Sequence, residues 1–474
     1  MTKHVRSLFL VLMASSLAVL PARVHAAEKP AAAPSGPLTV ETAVQMALQR
    51  SSQILGAEAS LEDARSGLYR SYSGILPQVQ ITGSRSASVR EQLRGTQSFS
   101  GLIFPTARQD FTGYTNSPTV SGSWNFLDLT ALSNYSSARS SLHAAELAHK
   151  STRQEIALDI RRKFYDVVKA FHLARVSGQA LRLARDDERR VRALFNVGSV
   201  SRSDLLKAQV RTAQSELDSL AKHNAISVTR ITLATSIGIA EREMGEVDTV
   251  LVASPQAYDE GQILTEAVKA RPDIQSAKAE WDAARASLRA SNFLRLPYLS
   301  VSGSATYRPV SKSKTTLFEK IDQTTGAIIQ VYDPPLESSS RSDVDRLYSG
   351  QIGFTWNIFT GFGNEASIAS SRARVMRAKD TFESLERNLA GEVQQILQTY
   401  REVVEGYNVT QRAIESATEN LKLTQQKYNV GSSTILDLID AQVQLQSAQS
   451  DAVSALAGMR VAEAAVEKVR GRGD

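Results

Sequence analysis

Long tracts of apolar residues at helical spacing alternate along this chain with short stretches in which every second residue is apolar. The tract between Pro118 and Pro255 contains no proline, and neither does the chain after Pro335. Because proline is the strongest helix breaker, both tracts are predicted to be helical. The second tract places apolar side chains at steps of three or four and then of seven, as in a coiled-coil seam: Phe382, Leu385, Leu389, Val393, Ile396, Tyr400, Val403, Tyr407, Ile414 and Leu421. The pattern predicts long rods that pack side by side.

The predicted rods have two lengths. Residues 130–194 and 363–427 form tracts of about 65 residues, each about 100 Å long as a helix. Four shorter helices of about 50 Å are predicted at about 40–74, 204–236, 262–294 and 435–470. Two short helices stacked end to end would match one long rod, which gives four rod equivalents per chain.

Strict alternation of apolar and polar residues predicts four β-strands, at about 77–90, 118–127, 297–308 and 348–359. Val79 and Ile81, for example, alternate with Gln78 and Gln80. Alternation of this kind suits both a transmembrane barrel strand and a strand of a soluble sandwich. Aromatic residues near the strand ends favour the membrane interpretation: Trp124, Phe126, Tyr298, Trp356 and Phe359. Since membrane barrels begin at eight strands, four strands require an oligomer, with eight strands in a dimer and twelve in a trimer.

The two halves of the chain repeat each other. Leu76-Pro77 matches Leu296-Pro297 at an offset of 220, and the Phe195–Gly198 motif FNVG matches YNVG from Tyr428 at an offset of 233. The change in offset indicates an insertion between the strands of the second half. The predicted organisation is a first repeat at 38–250, with a helical hairpin at 130–236, and a second repeat at 251–474, with a helical hairpin at 363–470.

The N-terminus predicts export. Residues 1–26 have basic residues, a short apolar run and a small-residue site ending at Ala26, which is typical of a signal peptide. A membrane anchor is the alternative, but about 13 apolar residues are fewer than the roughly 20 that span a bilayer. Residues 27–37 are rich in proline and predict a flexible leader.

Composition excludes several kinds of site. The chain has no cysteine, so disulfides, thiolate metal ligands and a lipid on an N-terminal cysteine are excluded. The four histidines after residue 26 lie in helical sequence without a metal-ligand pattern, and no phosphate loop, nucleophile elbow or catalytic triad is found. The net charge of +6 is spread among acidic residues, which argues against nucleic acid as a partner. We therefore expect no cofactor, no metal and no enzyme activity.

Paired strands, long rods, the internal duplication and the repeated pattern (Y/F)xxGxxxxxDLxxAQ together resemble the TolC-like outer membrane efflux protein family. The resemblance implies an α+β membrane protein whose homotrimer forms a 12-stranded β-barrel in outer membrane lipid, continued by a 12-helix α-barrel through the periplasm. It further implies an exit duct for drugs or secreted proteins. The implied partners are a periplasmic adaptor and an inner-membrane transporter of the RND, ABC or MFS type.

The resemblance also assigns roles at the two helix turns. It places Asp437 and Asp440 at the narrowest part of the pore and Asp204 and Tyr428 in contacts that hold the tip shut. It places the adaptor at the turns themselves, at Phe195, Val197, Gly198, Val430, Gly431 and Ser433. Ser433 stands where relatives often have arginine, which puts a second tip contact in doubt.

The residues alone leave a simpler interpretation for part of this set. Gly198 and Gly431 suit a left-handed helix end, and Ser201 with Asp204, like Thr434 with Asp437, forms a helix-capping pattern. Capping does not explain Asp440, whose counterpart in the first repeat is Lys207. Two other functions stay open on the sequence: a soluble periplasmic coiled-coil structural or adaptor protein, and an enzyme using Asp437 and Asp440 as paired carboxylates, which lacks a nucleophile.

Overall fold

A computed structural model describes residues 36–92, 96–99, 102–105, 109–253, 255–308, 313–315, 320–321, 324, 328–329, 336–338 and 345–472. The predicted signal peptide and nearly all of the predicted leader lie outside these residues. Within them, none of the helices combines the length and apolar character needed to cross a membrane.

The main sheet is antiparallel and is built from strands of both repeats. Its long strands are β1 (Gln78–Gln92), β4 (Gln109–Leu127), β5 (Tyr298–Arg308) and β10 (Asp345–Thr355), in the spatial order β10-β5-β4-β1. Short strands β6 (Ser313–Thr315) and β9 (Leu336–Ser338) extend it from β4, while β2 (Thr96–Phe99) pairs with β3 (Leu102–Pro105) and β7 (Lys320–Ile321) with β8 (Ile328–Ile329). The last long strand ends at Thr355, four residues before the predicted end, and residues 356–362 connect it to the next helix.

Eight helices carry the rest of the described chain: α1 (Val40–Arg50), α2 (Ser52–Tyr72), α3 (Leu129–Asn196), α4 (Arg202–Ile237), α5 (Glu260–Ala270), α6 (Pro272–Phe293), α7 (Gly363–Asn429) and α8 (Ile435–Val469). A single 3₁₀ turn, Glu241–Glu243, follows α4. The long helices α3 and α7 contain 68 and 67 residues, close to the predicted rod length.

The prediction of one continuous helix before each strand pair was wrong. Ser51 separates α1 from α2, and Arg271 separates α5 from α6; both residues have extended backbones, with ψ of 137° and 119°. In the second repeat the cause is Pro272, because a residue before proline is disfavoured in helical conformation. In the first repeat Ser51 takes the same conformation without a proline and is buried.

Each repeat has its own apolar core at the level of this break. Ala47, Ile54, Ile160 and Leu233 are buried together in the first repeat. Their counterparts at the same two sequence offsets, Ala267, Ile274, Val393 and Val466, are buried together in the second. The duplication seen in the sequence is therefore a duplication of packing. These two cores join each short helix to the long rods beside it.

The elements keep one lateral order at three levels. In the sheet the order is β1-β4-β5-β10. Among the helices next to the sheet, α2 packs on α3, α3 on α6 and α6 on α7, which gives the order α2-α3-α6-α7. Farther from the sheet, α4 packs on α3, α3 on α8 and α8 on α7, which gives the order α4-α3-α8-α7. First-repeat elements thus form one lateral edge of the protomer at every level, and β10 and α7 form the other.

Candidate functional site at the helical tip

The turn α3–α4 and the turn α7–α8 lie at the end of the helices farthest from the sheet and have the same backbone geometry. Gly198 and Gly431 adopt left-handed conformations, with φ of 76° and 77°. The next residue closes each turn, since Ser199 N–H donates to Leu194 O and Ser432 N–H donates to Lys427 O, both at 2.9 Å. Helices often end in this way, because a glycine after the last turn lets the chain satisfy the final carbonyls.

Helix caps open the two returning helices. Ser201 Oγ accepts a hydrogen bond from Asp204 N–H at 3.1 Å, and Thr434 Oγ1 accepts one from Asp437 N–H at 3.2 Å. The Asp437 carboxylate in turn accepts from Thr434 N–H at 2.8 Å and from the Ser433 hydroxyl at 2.9 Å. These bonds hold the pKa of Asp437 below its usual value. The pKa of Asp204 is lowered mainly by the Ser201 hydroxyl, which donates to its carboxylate at 2.7 Å.

An apolar cluster behind the turns joins the two hairpins. Its buried members come from three helices: Val191, Ala208, Ile435 and Leu438. Tyr428 packs against this cluster, and the pKa of its hydroxyl is raised by burial and then by the nearby charge of Asp187 and Asp204. The structure brings Tyr428 and Asp204 into the same region, and within the described part of this protomer no hydrogen bond joins them.

The turns expose apolar side chains and the acidic residues. Val197 and Val430 are 74% and 80% exposed at equivalent positions of the two turns, while Phe195 is half-buried. Asp437 and Asp440 are both exposed and lie on adjacent faces of α8, since residues three apart on a helix are about 60° apart around its axis. Across the described residues, no hydrogen bond or ion pair reaches the Asp440 carboxylate. Asp204 and Asp437 take part in helix caps, whereas Asp440 does not.

Sequence reasoning missed Asp187, a buried carboxylate close to the tip. Its Oδ2 accepts a hydrogen bond from Gln442 Nε2 of α8 at 2.5 Å. Burial raises the pKa of Asp187, against the opposing effects of Gln442 and of Arg190, whose guanidinium lies 3.8 Å from Oδ1. The sequence does contain an indication of this residue. Ala184, Asp187 and Val191 follow the three-four spacing of a buried helical seam, and a carboxylate is unusual in such a seam.

A second polar connection lies one turn farther along α8. Gln446 Oε1 accepts from Arg211 at 2.9 Å, and Gln446 Nε2 donates to Asp218 at 2.9 Å; both partners belong to α4. Gln442 and Gln446 are four residues apart and therefore lie on one face of α8. Two glutamines thus join the second hairpin to both helices of the first. In the described residues no group of acidic or histidine side chains is arranged as metal ligands.

Comparison with known proteins agrees with this architecture. The sequence profile of the family described as "Outer membrane efflux protein" matches residues 43–239 and 263–472, which includes both repeats. The chain belongs to the outer membrane efflux protein family. The predicted fold class of duplicated helical hairpins with paired strands is thereby confirmed, as is the predicted location in the outer membrane with an extension into the periplasm. The family consists of channel proteins, and membership implies an adaptor and an inner-membrane transporter as partners.

Individual relatives are distant in sequence. Nodulation protein T of Rhizobium leguminosarum bv. trifolii is 24% identical over 373 residues, which cover 77% of this chain and 73% of that protein. Among solved structures, the outer membrane protein VceC of Vibrio cholerae superposes with a TM-score of 0.72 at 17% identity, covering 92% of this chain and 96% of that one. The CmeC outer membrane channel of Campylobacter jejuni gives the same TM-score at 16% identity over 92% and 86% of the two chains. At this identity the structural match shows the fold alone. Together with the family profile, it favours the export duct over a soluble periplasmic coiled coil.

Proposed function

We propose that three copies of this chain form one duct, with a barrel in the outer membrane and a helical tunnel in the periplasm, through which an inner-membrane transporter exports its cargo. The observation that carries the proposal is the constant lateral order of the elements. At every level the first repeat forms one edge and the second repeat forms the other. One rotation about a common axis can therefore place all edges of neighbouring copies in contact at once: β10 against β1, and α7 against α2 and α4. A repeated contact between two different edges closes into a ring.

The edges need such a partner. Among the described strands, β1 pairs with β4 alone and β10 with β5 alone, so each has a row of free backbone groups. In a bilayer these groups cannot bond to water, and pairing between copies removes the edges. Four strands from each of three copies give twelve, which encloses an open passage, whereas the eight of a dimer leave an interior filled by side chains.

Helix α4 presents a matching apolar stripe. Exposed residues on it recur at heptad-like spacing: Leu206, Val210, Leu217, Leu220, Val228 and Ile231. At the opposite edge, Val409 and Leu423 of α7 are exposed two heptads apart. Exposed heptad stripes on long helices are typical of surfaces that pack against another helix. The α4 stripe therefore supports contact with α7 of a neighbouring copy.

The two faces of the sheet suit lipid and water. On one face Ile81 and Ile352 are 75% and 77% exposed, with Trp124 and Phe354 on the same side. The other face is lined by hydroxyl and amide side chains, including Gln80, Ser121, Ser302, Ser304 and Ser349. Apolar residues outside and polar residues inside are what a membrane barrel requires.

The tip residues keep their predicted roles as part of this proposal. Three copies would place six carboxylates, from Asp437 and Asp440, around the axis at the narrow end, where they would attract cations. Asp204 and Tyr428 would hold the hairpins together. The turns with Phe195, Val197, Gly198, Val430, Gly431 and Ser433 would receive the adaptor, for which exposed Val197 and Val430 offer an apolar contact. The transporter would be of the RND, ABC or MFS type, and the cargo drugs or other small molecules, or a protein secreted by a type I system.

The α4 stripe provides a direct test. A double variant, Leu217→Glu with Leu220→Glu, places charge in the proposed contact and should abolish trimers and channel conductance in planar bilayers. His223→Glu adds a charge to α4 outside the stripe and should leave both unchanged. Trimers and conductance that persist in the double variant would remove α4 from the interface and contradict the proposed ring.

A further inference from the structure

An unassigned basic group lies just below the sheet, at the seam between α6 and α7. It consists of Arg289 on α6 and Arg372 on α7, both exposed and here called the arginine pair. A hydrogen bond of 2.8 Å between the hydroxyls of Ser291 and Ser371 joins the two helices at this level. Ser291 follows Arg289 by two residues, and Ser371 directly precedes Arg372. The pair therefore spans one seam, with Arg289 about 6 Å below Phe293, where α6 ends.

The arginine pair lies on the outer surface of the helical layer. Arg289 is one heptad from Asp282 on α6, and Arg372 is two heptads from Glu386 on α7, so each arginine shares a helix face with that carboxylate. Asp282 and Glu386 line one cavity, which is also lined by α5. Helix α5 forms a second layer on this side of the rods and would obstruct a lumen there. This side therefore faces away from the axis of the proposed duct.

The carboxylates near the seam leave the arginine pair uncompensated. In the described part of the chain, neither arginine of the pair lies within ion-pair distance of a carboxylate. Arg285, one turn below on α6, lies 3.5 Å from Asp282, and this aspartate is thereby paired. Glu365, nearer the sheet on α7, lies 3.4 Å from Arg295. Glu386 lies about 21 Å farther toward the tip. The seam thus has two positive charges without a counterion.

The lipid-facing surface of the sheet lies directly above the seam. Helix α6 leads into β5 and α7 follows β10, so the seam continues into this strand pair. Val301, Ile352 and Phe354 are exposed on its apolar face, and Trp356 is exposed just after β10. Arginine can extend its long stem along apolar surface toward a membrane headgroup. A phospholipid whose acyl chains cover these side chains therefore has its phosphate next to the arginine pair.

We propose that the arginine pair of each chain binds the phosphate of an anionic phospholipid from the periplasmic leaflet of the outer membrane. Guanidinium groups form paired, charge-assisted hydrogen bonds with phosphate oxygens. Basic side chains near a membrane surface also favour lipids with a net negative charge over zwitterionic ones. Three chains would hold three such lipids, one at each α6–α7 seam. The site rests on the proposed trimer with its sheet in lipid, and it is independent of the cargo.

Bound lipids can be counted on the intact assembly. The protein is purified in mild detergent, phosphatidylglycerol is added, and native mass spectrometry resolves the number of lipids on each trimer. We expect three tightly bound phosphatidylglycerol molecules, and weaker binding of phosphatidylcholine, whose headgroup has no net charge. Arg289→Gln and Arg372→Gln should each lower the affinity for phosphatidylglycerol about fivefold, the factor that corresponds to about 1 kcal/mol. The two substitutions together should lower it about 25-fold.

Matched variants separate recognition of the phosphate from a general loss of charge or of assembly. Arg289→Lys with Arg372→Lys keeps both charges without the planar fork, and should bind phosphatidylglycerol more tightly than the double glutamine variant does. Arg182→Gln with Arg401→Gln removes two exposed arginines that have no ion pair in the described residues, and should bind like the parent. Arg401 lies about 44 Å farther from the sheet than Arg372. Each spectrum also gives the mass of the trimer, which shows that the variant has assembled.

The outcomes separate the lipid site from the duct. Binding of phosphatidylglycerol that is unchanged in the double glutamine variant would overturn the site, and so would equal affinity of the parent for phosphatidylglycerol and phosphatidylcholine. Either result leaves the trimer and its passage intact. A parent protein that is a single chain in solution, without detergent or bound lipid, would contradict the duct on which the site rests.

Discussion

Trp124 and Trp356 make the same hydrogen bond in the two halves of the molecule. Trp124 Nε1 donates to Ile75 O at 2.7 Å, and Trp356 Nε1 donates to Arg295 O at 3.0 Å. Each bond joins the tip-facing end of the sheet to the end of the helix that precedes the strand pair. The duplication therefore extends to side-chain contacts where the sheet meets the helices.

Replacing either tryptophan should weaken this junction. Trp124→Phe and Trp356→Phe each remove one hydrogen bond, and we expect each to lower the free energy of unfolding by about 1 kcal/mol. Trp281→Phe is the control, because its buried Nε1 has no partner among the described residues and its ring stacks on Phe382. Denaturant midpoints of the detergent-solubilised protein measure all three. An equal loss for Trp281→Phe would show that ring volume, and not the bond, stabilises the junction.

Glycine should be required at the two turns because it adopts a left-handed backbone without strain, and not because a side chain would clash there. Gly198 and Gly431 have positive φ, and a Cβ added at either would meet no atom within 4 Å. Gly198→Ala and Gly431→Ala should therefore destabilise the tip by about 1 kcal/mol through backbone strain. Gly178→Ala in the middle of α3 also meets open space and should stabilise by about 0.5–1 kcal/mol. Hydrogen exchange of the turn amides would measure the effect, and unchanged exchange in Gly198→Ala would contradict a strain-based requirement.

The charge of Asp187 should reduce stability at neutral pH. Burial raises the folded-state pKa of this carboxyl despite Gln442 and Arg190, with Asp186 and the Tyr428 hydroxyl also facing it. The folded chain thus binds the proton more tightly than the unfolded chain, so stability falls as pH rises above the unfolded value of about 4. Asp187→Asn removes this dependence and should raise the denaturant midpoint more at pH 7.5 than at pH 4. A gain of the same size at both values would mean that burial does not penalise the charge.

Asp437 and Asp440 should set ion selectivity. Removing both carboxylates by Asp437→Ala with Asp440→Ala should reduce cation preference and weaken block by multivalent cations in planar bilayers, because a ring of carboxylates concentrates cations. Glu419→Ala removes an exposed carboxylate of α7 that is paired with Lys422 at 3.5 Å, and should leave selectivity unchanged. Selectivity that survives the double substitution would place the narrowest point elsewhere.

Much of the fold could be predicted because it follows from local pattern. Proline-free tracts predicted α3 and α7, with a heptad seam as added evidence in α7; alternation predicted the four long strands, and the repeated motif predicted two equivalent turns. The break at Ser51 could not be read in this way, since no local breaker marks it. Pro272 marks the equivalent break in the second repeat, because it disfavours helical conformation at Arg271.

The candidate site was only partly accessible from the sequence. The helix caps at Asp204 and Asp437 could be predicted, because a cap is a local structure and its sequence pattern spans only four residues. The bond between Asp187 and Gln442 joins residues 255 positions apart. Which residue of α8 faces Asp187 depends on the register of α8 against α3, and tertiary packing sets that register. The unusual carboxylate in a buried seam pointed to one half of the pair and could not identify the other.

The central claim is that three chains build one membrane duct, and the mass of the assembly tests it most directly. The protein is extracted from outer membranes in mild detergent, and the number of chains per particle is measured by light scattering corrected for bound detergent. We predict three chains per particle, released only by detergent. A single chain per particle, or a protein that stays in solution without detergent, would contradict the account.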